Sequence, residues 1–193
     1  MKKLILASTL ALMSASSFAA DDQSGFRVGG GFGTDVGSYK QRNSSEGKIE
    51  TDPTVVLEAG YDFNSIFAIN VKGSGTGTKA TNRRGRNGQN LYTTYDLAVE
   101  AEAGYTFVTD GGTSIKPYVA LGAVAYDKDT SAWLSDSKNA VQARGALGAR
   151  MTFDNGVYVD GRLQATDFSE KGKTFNAKDD LLTQGMVTVG YKF

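Results

Sequence analysis

The chain of 193 residues carries 24 glycines but two prolines, no cysteine and no histidine, and its 21 lysines and arginines balance 21 aspartates and glutamates. Without cysteine there is no disulfide framework, thiolate zinc site or cysteine nucleophile, and without histidine there is no Ser–His triad, histidine metal site or imidazole base. The length suits one domain, and the near-neutral balance gives no reason to expect a nucleic-acid partner.

The chain opens with Lys2 and Lys3, an apolar run from Leu4 to Met13, and small residues around Ser17-Phe18-Ala19. That order predicts a secretory signal peptide over residues 1–19. It leaves residues 20–193 as one domain with 19 cationic against 21 anionic side chains. The alternative is a single membrane anchor, but a spanning helix needs roughly 20 apolar residues. Charged or polar residues interrupt every later apolar stretch, so membrane entry beyond this point requires a closed β-barrel.

From Gly25 the apolar pattern has period two. In the run Gly25 to Gly33, Phe26, Val28, Gly30 and Phe32 share one face and Arg27, Gly29 and Gly31 the other. Thr54 to Phe63 sets Val55, Leu57, Ala59, Tyr61 and Phe63 against Glu58, Gly60 and Asp62, with Val56 the exception. Ile66 to Gly73 sets Phe67, Ile69 and Val71 against Ala68, Asn70 and Lys72. Leu91 to Phe107 is the longest, with Tyr95, Leu97, Val99, Ala101, Ala103, Tyr105 and Phe107 opposite Thr94, Asp96, Glu100, Glu102 and Thr106. Ser114 to Tyr126, Ala140 to Phe153, Val157 to Thr166 and Leu181 to Phe193 repeat the alternation. Their polar faces carry Lys116 and Tyr118, then Arg144 and Arg150, then Asp160, Arg162 and Gln164, then Gln184, Thr188 and Lys192. Pro117 falls near a strand start, where a missing donor is tolerated. Period, glycine content and β-branched enrichment all oppose helix.

The connections alternate in length. Residues 34–53, 74–90, 127–139 and 169–180 are long and polar, whereas Asp62 to Ser65, Thr109 to Thr113 and Asp154-Asn155-Gly156 are short, the last with a hairpin signal. Eight runs with this alternation predict an all-β, eight-stranded, antiparallel up-and-down transmembrane barrel, short turns in the periplasm and long loops outside. A soluble sandwich or lipocalin-like barrel would instead bury the apolar face. Two features favour the membrane. The charged face mixes Arg27, Lys72, Lys116, Arg144, Arg150, Arg162 and Lys192 with Glu58, Asp62, Asp96, Glu100, Glu102 and Asp160, which can pair across a narrow lumen. Tyr61, Phe63, Phe67, Tyr105, Phe107, Phe153, Tyr191 and Phe193 share the apolar face at strand ends beside the short turns or the C-terminus. That arrangement meets the need for an aromatic girdle.

The stretch Val187-Thr188-Val189-Gly190-Tyr191-Lys192-Phe193 and, less specifically, Pro117 to Gly122 resemble the small outer-membrane barrels typified by the transmembrane domain of OmpA and by OmpX. The resemblance covers Gly25 to Phe193, a Gram-negative cell-envelope protein related to the porin families. It implies that Val187, Val189, Tyr191 and Phe193 form the signal read by the outer-membrane assembly machinery. It also implies outer-membrane lipids and lipopolysaccharide as surroundings, a monomer, and no periplasmic peptidoglycan-binding domain after the last strand.

Three functions remain open to the sequence. The first is a structural or surface-interaction role through four extracellular loops. There Lys79, Arg83, Arg84 and Arg86, in a stretch without acidic residues, offer contact to lipopolysaccharide phosphates or to an anionic host or surface glycan; a solvated loop is the plainer reading. The second is a narrow porin-like channel, if Gly29, Gly31, Gly60, Gly104, Gly122 and Gly148 leave a gap beside the ion pairs. The third is an enzyme. It is not expected, since no histidine base exists and Glu100 and Glu102 suit an ion-pair network. No cofactor is implied. The loop carboxylates Asp127, Asp129, Asp179 and Asp180 lack calcium-loop spacing, and Trp133 with Leu134 is too small an apolar pair to mark a site.

Overall fold

The computed structural model describes residues 23–36, 49–80, 90–126, 141–167 and 181–193. The strands are β1 (Gly25–Asp35), β2 (Ile49–Asp62), β3 (Phe67–Ala80), β4 (Asn90–Gly104), β5 (Phe107–Val108), β6 (Ser114–Tyr126), β7 (Val141–Thr152), β8 (Val157–Asp167) and β9 (Leu181–Lys192). All pairings are antiparallel, and β1 pairs with β9 as well as β2, so the sheet closes. β4 and the two-residue β5 both pair with β6 and together form one interrupted stave, which makes eight staves in an up-and-down barrel.

The interruption has a local cause. After Gly104 the chain leaves the ladder toward the β2–β3 turn, where the Gly104 amide donates to the Ile66 carbonyl and the Thr106 amide to that of Ser65. The sequence pattern over Leu91 to Phe107 keeps its period through this bend and therefore reads as one strand. The turns at one rim are tight. At residues 109–113 and 153–157 a glycine closes each loop in the left-handed region, Gly112 at φ 77° and Gly156 at φ 84°. Three-residue hairpin loops with glycine at that position are a favoured solution. The Asn64 side chain accepts from the Ile66 and Phe67 amides, both at 2.8 Å, and folds the remaining turn.

The two faces of the wall are opposite in chemistry. Phe32, Leu57, Leu97, Leu121, Leu147 and Val187 are each more than half exposed on the outside. Arg27, Glu58, Lys72, Glu100, Glu102, Lys116, Arg144, Arg150, Asp160 and Arg162 are buried inside. A band of large apolar residues around a closed sheet suits hydrocarbon, where every backbone group must be paired internally. Leu121→Arg, in the middle of β6, is therefore expected to destabilise the barrel by about 2–4 kcal/mol. Urea unfolding in lipid vesicles reads this directly, and an unchanged midpoint would contradict lipid contact there.

The staves run further toward the loop rim than the apolar pattern indicates. β3 continues to Ala80 and β4 begins at Asn90, so residues 74–80 and 90 of the expected long loop are ladder, and β2 begins at Ile49 inside the expected loop 34–53. Lys79 is thereby moved from loop to strand, in register with Glu50 and Leu91. The physical reason is that Gly73, Gly75 and Gly77 replace outward apolar residues, which removes the periodic signal while the backbone ladder persists. The Tyr95 ring lies over Gly75, where an added Cβ would stand 3.4 Å from it, and supplies the missing side-chain cover. The expected signal peptide, Arg83, Arg84, Arg86, the loop carboxylates and Trp133 with Leu134 lie outside the described residues.

Candidate functional site

The lumen is the one concentration of charge inside the described residues, and strand alternation builds it. Each stave contributes the inward half of its period. At the turn rim, Arg27 on β1 donates from Nε to Asp62 Oδ2 at 3.0 Å and from Nη2 to Asn70 Oδ1 at 2.8 Å. Asn70 passes the contact on, donating from Nδ2 to Glu102 Oε2 at 3.0 Å. Arg150 grips the same carboxylate with both terminal nitrogens, at 3.0 and 2.8 Å, and reaches Asp160 Oδ2 at 3.0 Å. Lys116 lies 3.3 Å from Glu102, and Lys192 lies 3.1 Å from Asp62 while donating to the Gln23 carbonyl.

Midway, Glu58 pairs with Lys72 and accepts from the Tyr158 hydroxyl at 2.6 Å and the Thr188 hydroxyl at 3.1 Å. Beside it Arg162 holds Glu100 through two bonds of 2.7 and 2.8 Å. This fork geometry gives charge-assisted bonds their strength and direction. Toward the loop rim Arg144 contacts Asp96 at 3.3 Å, the Tyr126 hydroxyl at 3.1 Å and Thr166 at 3.0 Å, and Ser74 donates to Asp96. Neutral pairs complete this level: Thr54 with Thr76, and Gln164 with Gln184, which in turn donates to Asp35.

Glycines and tyrosines interlock within this network. An added Cβ on Gly29 or Gly190 would stand 2.3 or 2.5 Å from the Tyr158 hydroxyl oxygen, and one on Gly148 would stand 2.7 Å from that of Tyr118. At Gly31, Gly60, Gly104 and Gly122 the nearest obstacles, at 2.0–2.4 Å, belong to the neighbouring strand or its side chains. The six glycines that sequence reasoning takes as a possible gap therefore border occupied space. Tyr118 uses the room to donate to Asp160 at 2.7 Å with the Arg150 guanidinium 5.1 Å from its ring centroid. Sequence reasoning misses the role of Tyr158 as a carboxylate donor. Its even position in β8, shared with Asp160 and Arg162, is the signal that places it inside.

The chemistry of this arrangement is mutual neutralisation. Glu58, Asp62, Asp96, Glu100, Glu102 and Asp160 each face a cation, and no group of three or more acidic residues suited to a metal occurs among the described residues. Glu100 and Glu102, neighbours on β4, are held by different arginines, Arg162 and Arg150.

The residues expected to carry the assembly signal line one outward row. Val187, Val189, Tyr191 and Phe193 are exposed on the apolar face. The Phe193 amide donates to the Phe26 carbonyl, and its ring meets those of Tyr191 and Phe26 at centroid distances of 5.0 and 6.3 Å. Tyr61 with Phe63 and Tyr105 with Phe107 form the same edge-on pair at the same rim. Phe153 and Phe67 join them as exposed aromatics on this edge.

A closed barrel with an apolar outside, an aromatic rim and a charge-paired inside is an integral protein of the bacterial outer membrane. The chain belongs to the outer membrane protein β-barrel domain family, whose model matches residues 5–193. No curated protein sequence matches it. Among solved structures it is similar to the Yersinia pestis outer membrane protein Ail in a phospholipid bilayer nanodisc, at 15% identity over 89% of this chain and 100% of that one, TM-score 0.45. OprG from Pseudomonas aeruginosa matches at 14% identity over 88% and 96%, TM-score 0.49. Ail in complex with the heparin analogue sucrose octasulfate matches at 13% identity over 88% and 97%, TM-score 0.39.

Proposed function

We propose that the protein is a closed, non-catalytic outer-membrane barrel that acts at the cell surface through its loops. The observation that carries this reading is the filled lumen. Seven cations and six carboxylates with three tyrosines, Tyr118, Tyr126 and Tyr158, occupy the interior of an eight-stave barrel, a size at which side chains suffice to fill the bore. With the interior engaged in holding the wall together, contact with other molecules falls to the segments beyond the rim, where variation costs the scaffold least.

In this reading the short-turn rim faces the periplasm and the long connections face outward. Lys79, one residue before the end of β3, and Arg83, Arg84 and Arg86 beyond it meet anionic groups, namely lipopolysaccharide phosphates or sulfated and acidic glycans. Val187, Val189, Tyr191 and Phe193 serve the assembly machinery as an outward apolar row with a terminal aromatic, and the barrel works as a monomer.

The test has two parts. Purified barrel in planar bilayers should give a flat current trace, and discrete openings would favour the narrow-channel alternative. Replacing all four basic residues with serine should weaken binding to lipopolysaccharide and heparin more than tenfold, since each such surface contact is worth about 0.5–1 kcal/mol. Wild-type binding should also fall with added salt. Unchanged, salt-insensitive binding would remove the basic cluster from the account.

A further inference from the structure

The lumen is not uniform along its axis. Ala98, Val124, Tyr126 and Leu182 form one buried apolar cluster. Val124 and Tyr126 are the last inward positions of β6, and Leu182 is the first of β9, so the cluster lies at the loop end of both strands. Ala98 on β4 is in register with Val124. β9 is not a neighbour of β4 or β6; β7 and β8 separate them on one side and β1, β2 and β3 on the other. Contact between Leu182 and the β4–β6 corner therefore crosses the bore. Toward the turns, the interior is lined by the ion pairs centred on Glu58, Glu100 and Glu102.

These two zones oppose a passing ion differently. In the charged zone a small ion that sheds water meets carboxylate oxygens, hydroxyls, guanidinium or ammonium groups that can replace it. At the crossbar it meets methyl and methylene groups, and apolar constrictions close pores by excluding water. Transferring a bare charge into such surroundings is the costliest step available. The ionic groups bordering it are all engaged: Arg144 and Asp96 with each other and with Tyr126, Thr166 and Ser74, and Lys72, in register with Ala98, with Glu58. We infer that the ion barrier of this lumen is the apolar crossbar of Ala98, Val124 and Leu182, and that the ion-pair network is a structural filling rather than the seal. The inference rests on the closed-lumen reading above.

Three proteins separate the possibilities: wild type, Val124→Ser/Leu182→Ser, and Glu100→Gln/Arg162→Met, whose ion pair is not in register with a crossbar residue. The last removes both partners of a midway ion pair together. Each is first checked for the folded form by gel mobility before and after boiling, and is then recorded in planar bilayers in potassium chloride. Where the double serine variant does not fold, Leu182→Ala alone is read in the same way. The crossbar variant should show discrete openings at least tenfold more frequent than wild type, while the ion-pair variant stays as quiet as wild type. A quiet crossbar variant, or an ion-pair variant that opens as often, would overturn the inference. A wild type that conducts would overturn the closed-lumen reading instead. The crossbar would then stand only if its variant alone raised the single-channel conductance.

Discussion

Replacing Arg150 with alanine is expected to destabilise the folded barrel by about 3–5 kcal/mol, the usual cost of removing one partner from a buried ion pair. Arg150 is 3% exposed and joins Glu102, Asp160 and the Tyr118 ring from three different staves. Without it, Glu102 retains Asn70, Lys116 and the more distant Arg27, but Asp160 stays buried with the Tyr118 hydroxyl and no cation within 4 Å among the described residues. Removing the Glu102 carboxylate as well deletes an anion whose closest cation is gone, and should recover part of the loss. Arg150→Ala/Glu102→Ala is therefore expected to be less destabilised than the sum of its single variants. Urea titration of the barrel in lipid vesicles gives all four corners of the cycle. A single-variant cost below about 1 kcal/mol would mean that Arg150 is solvated, and so that the lumen is open to water at this level.

Gly31→Val is expected to block closure of the barrel altogether. The position faces inward on β1, and an added Cβ would stand 2.0 Å from the Val187 carbonyl oxygen and 2.6 Å from the Thr188 Cα across the closing β1–β9 seam. Both obstacles are backbone, so relief requires the two strands to separate. The expected penalty exceeds about 4 kcal/mol, in the range reserved for disrupted backbone or core. In refolding into vesicles, this variant should give no boiling-dependent change in gel mobility. Gly161→Val is the matched control, because its Cβ would point outward with nothing within 4 Å. It should fold as wild type does, within about 0.5 kcal/mol. Equal folding of the two variants would contradict the close approach at the seam.

Most of the barrel is legible in the sequence because each stave alternates and the alternation is chemical. The parity that sets Arg150 against Met151, or Arg162 against Leu163, assigns both to their faces without reference to a partner. Registers were not readable. Nothing in the sequence of β3 says that Lys72 stands beside Glu58, since pairing depends on shear around the whole barrel. The ladder beyond Gly73 leaves no mark in the sequence because a Gly-Ser/Thr repeat carries no hydrophobic period, and the bend after Gly104 leaves none because the period continues through it. Tyr158 and Tyr118 have the inward parity, yet their bonds to Glu58 and Asp160 join partners 100 and 42 positions apart in the chain. The crossbar was hidden for the same reason, since Val124 and Leu182 meet only when the sheet closes.

The protein is a lipid-facing barrel whose interior is a charge-paired filling. Gel mobility of unheated against boiled protein from the membrane fraction tests it most directly, because a closed barrel of this kind keeps its ladder in detergent until heated. The account predicts a compact, faster or slower migrating unheated band that converts fully on boiling. Identical mobility of the two samples, with the protein recovered in the soluble fraction, would contradict it.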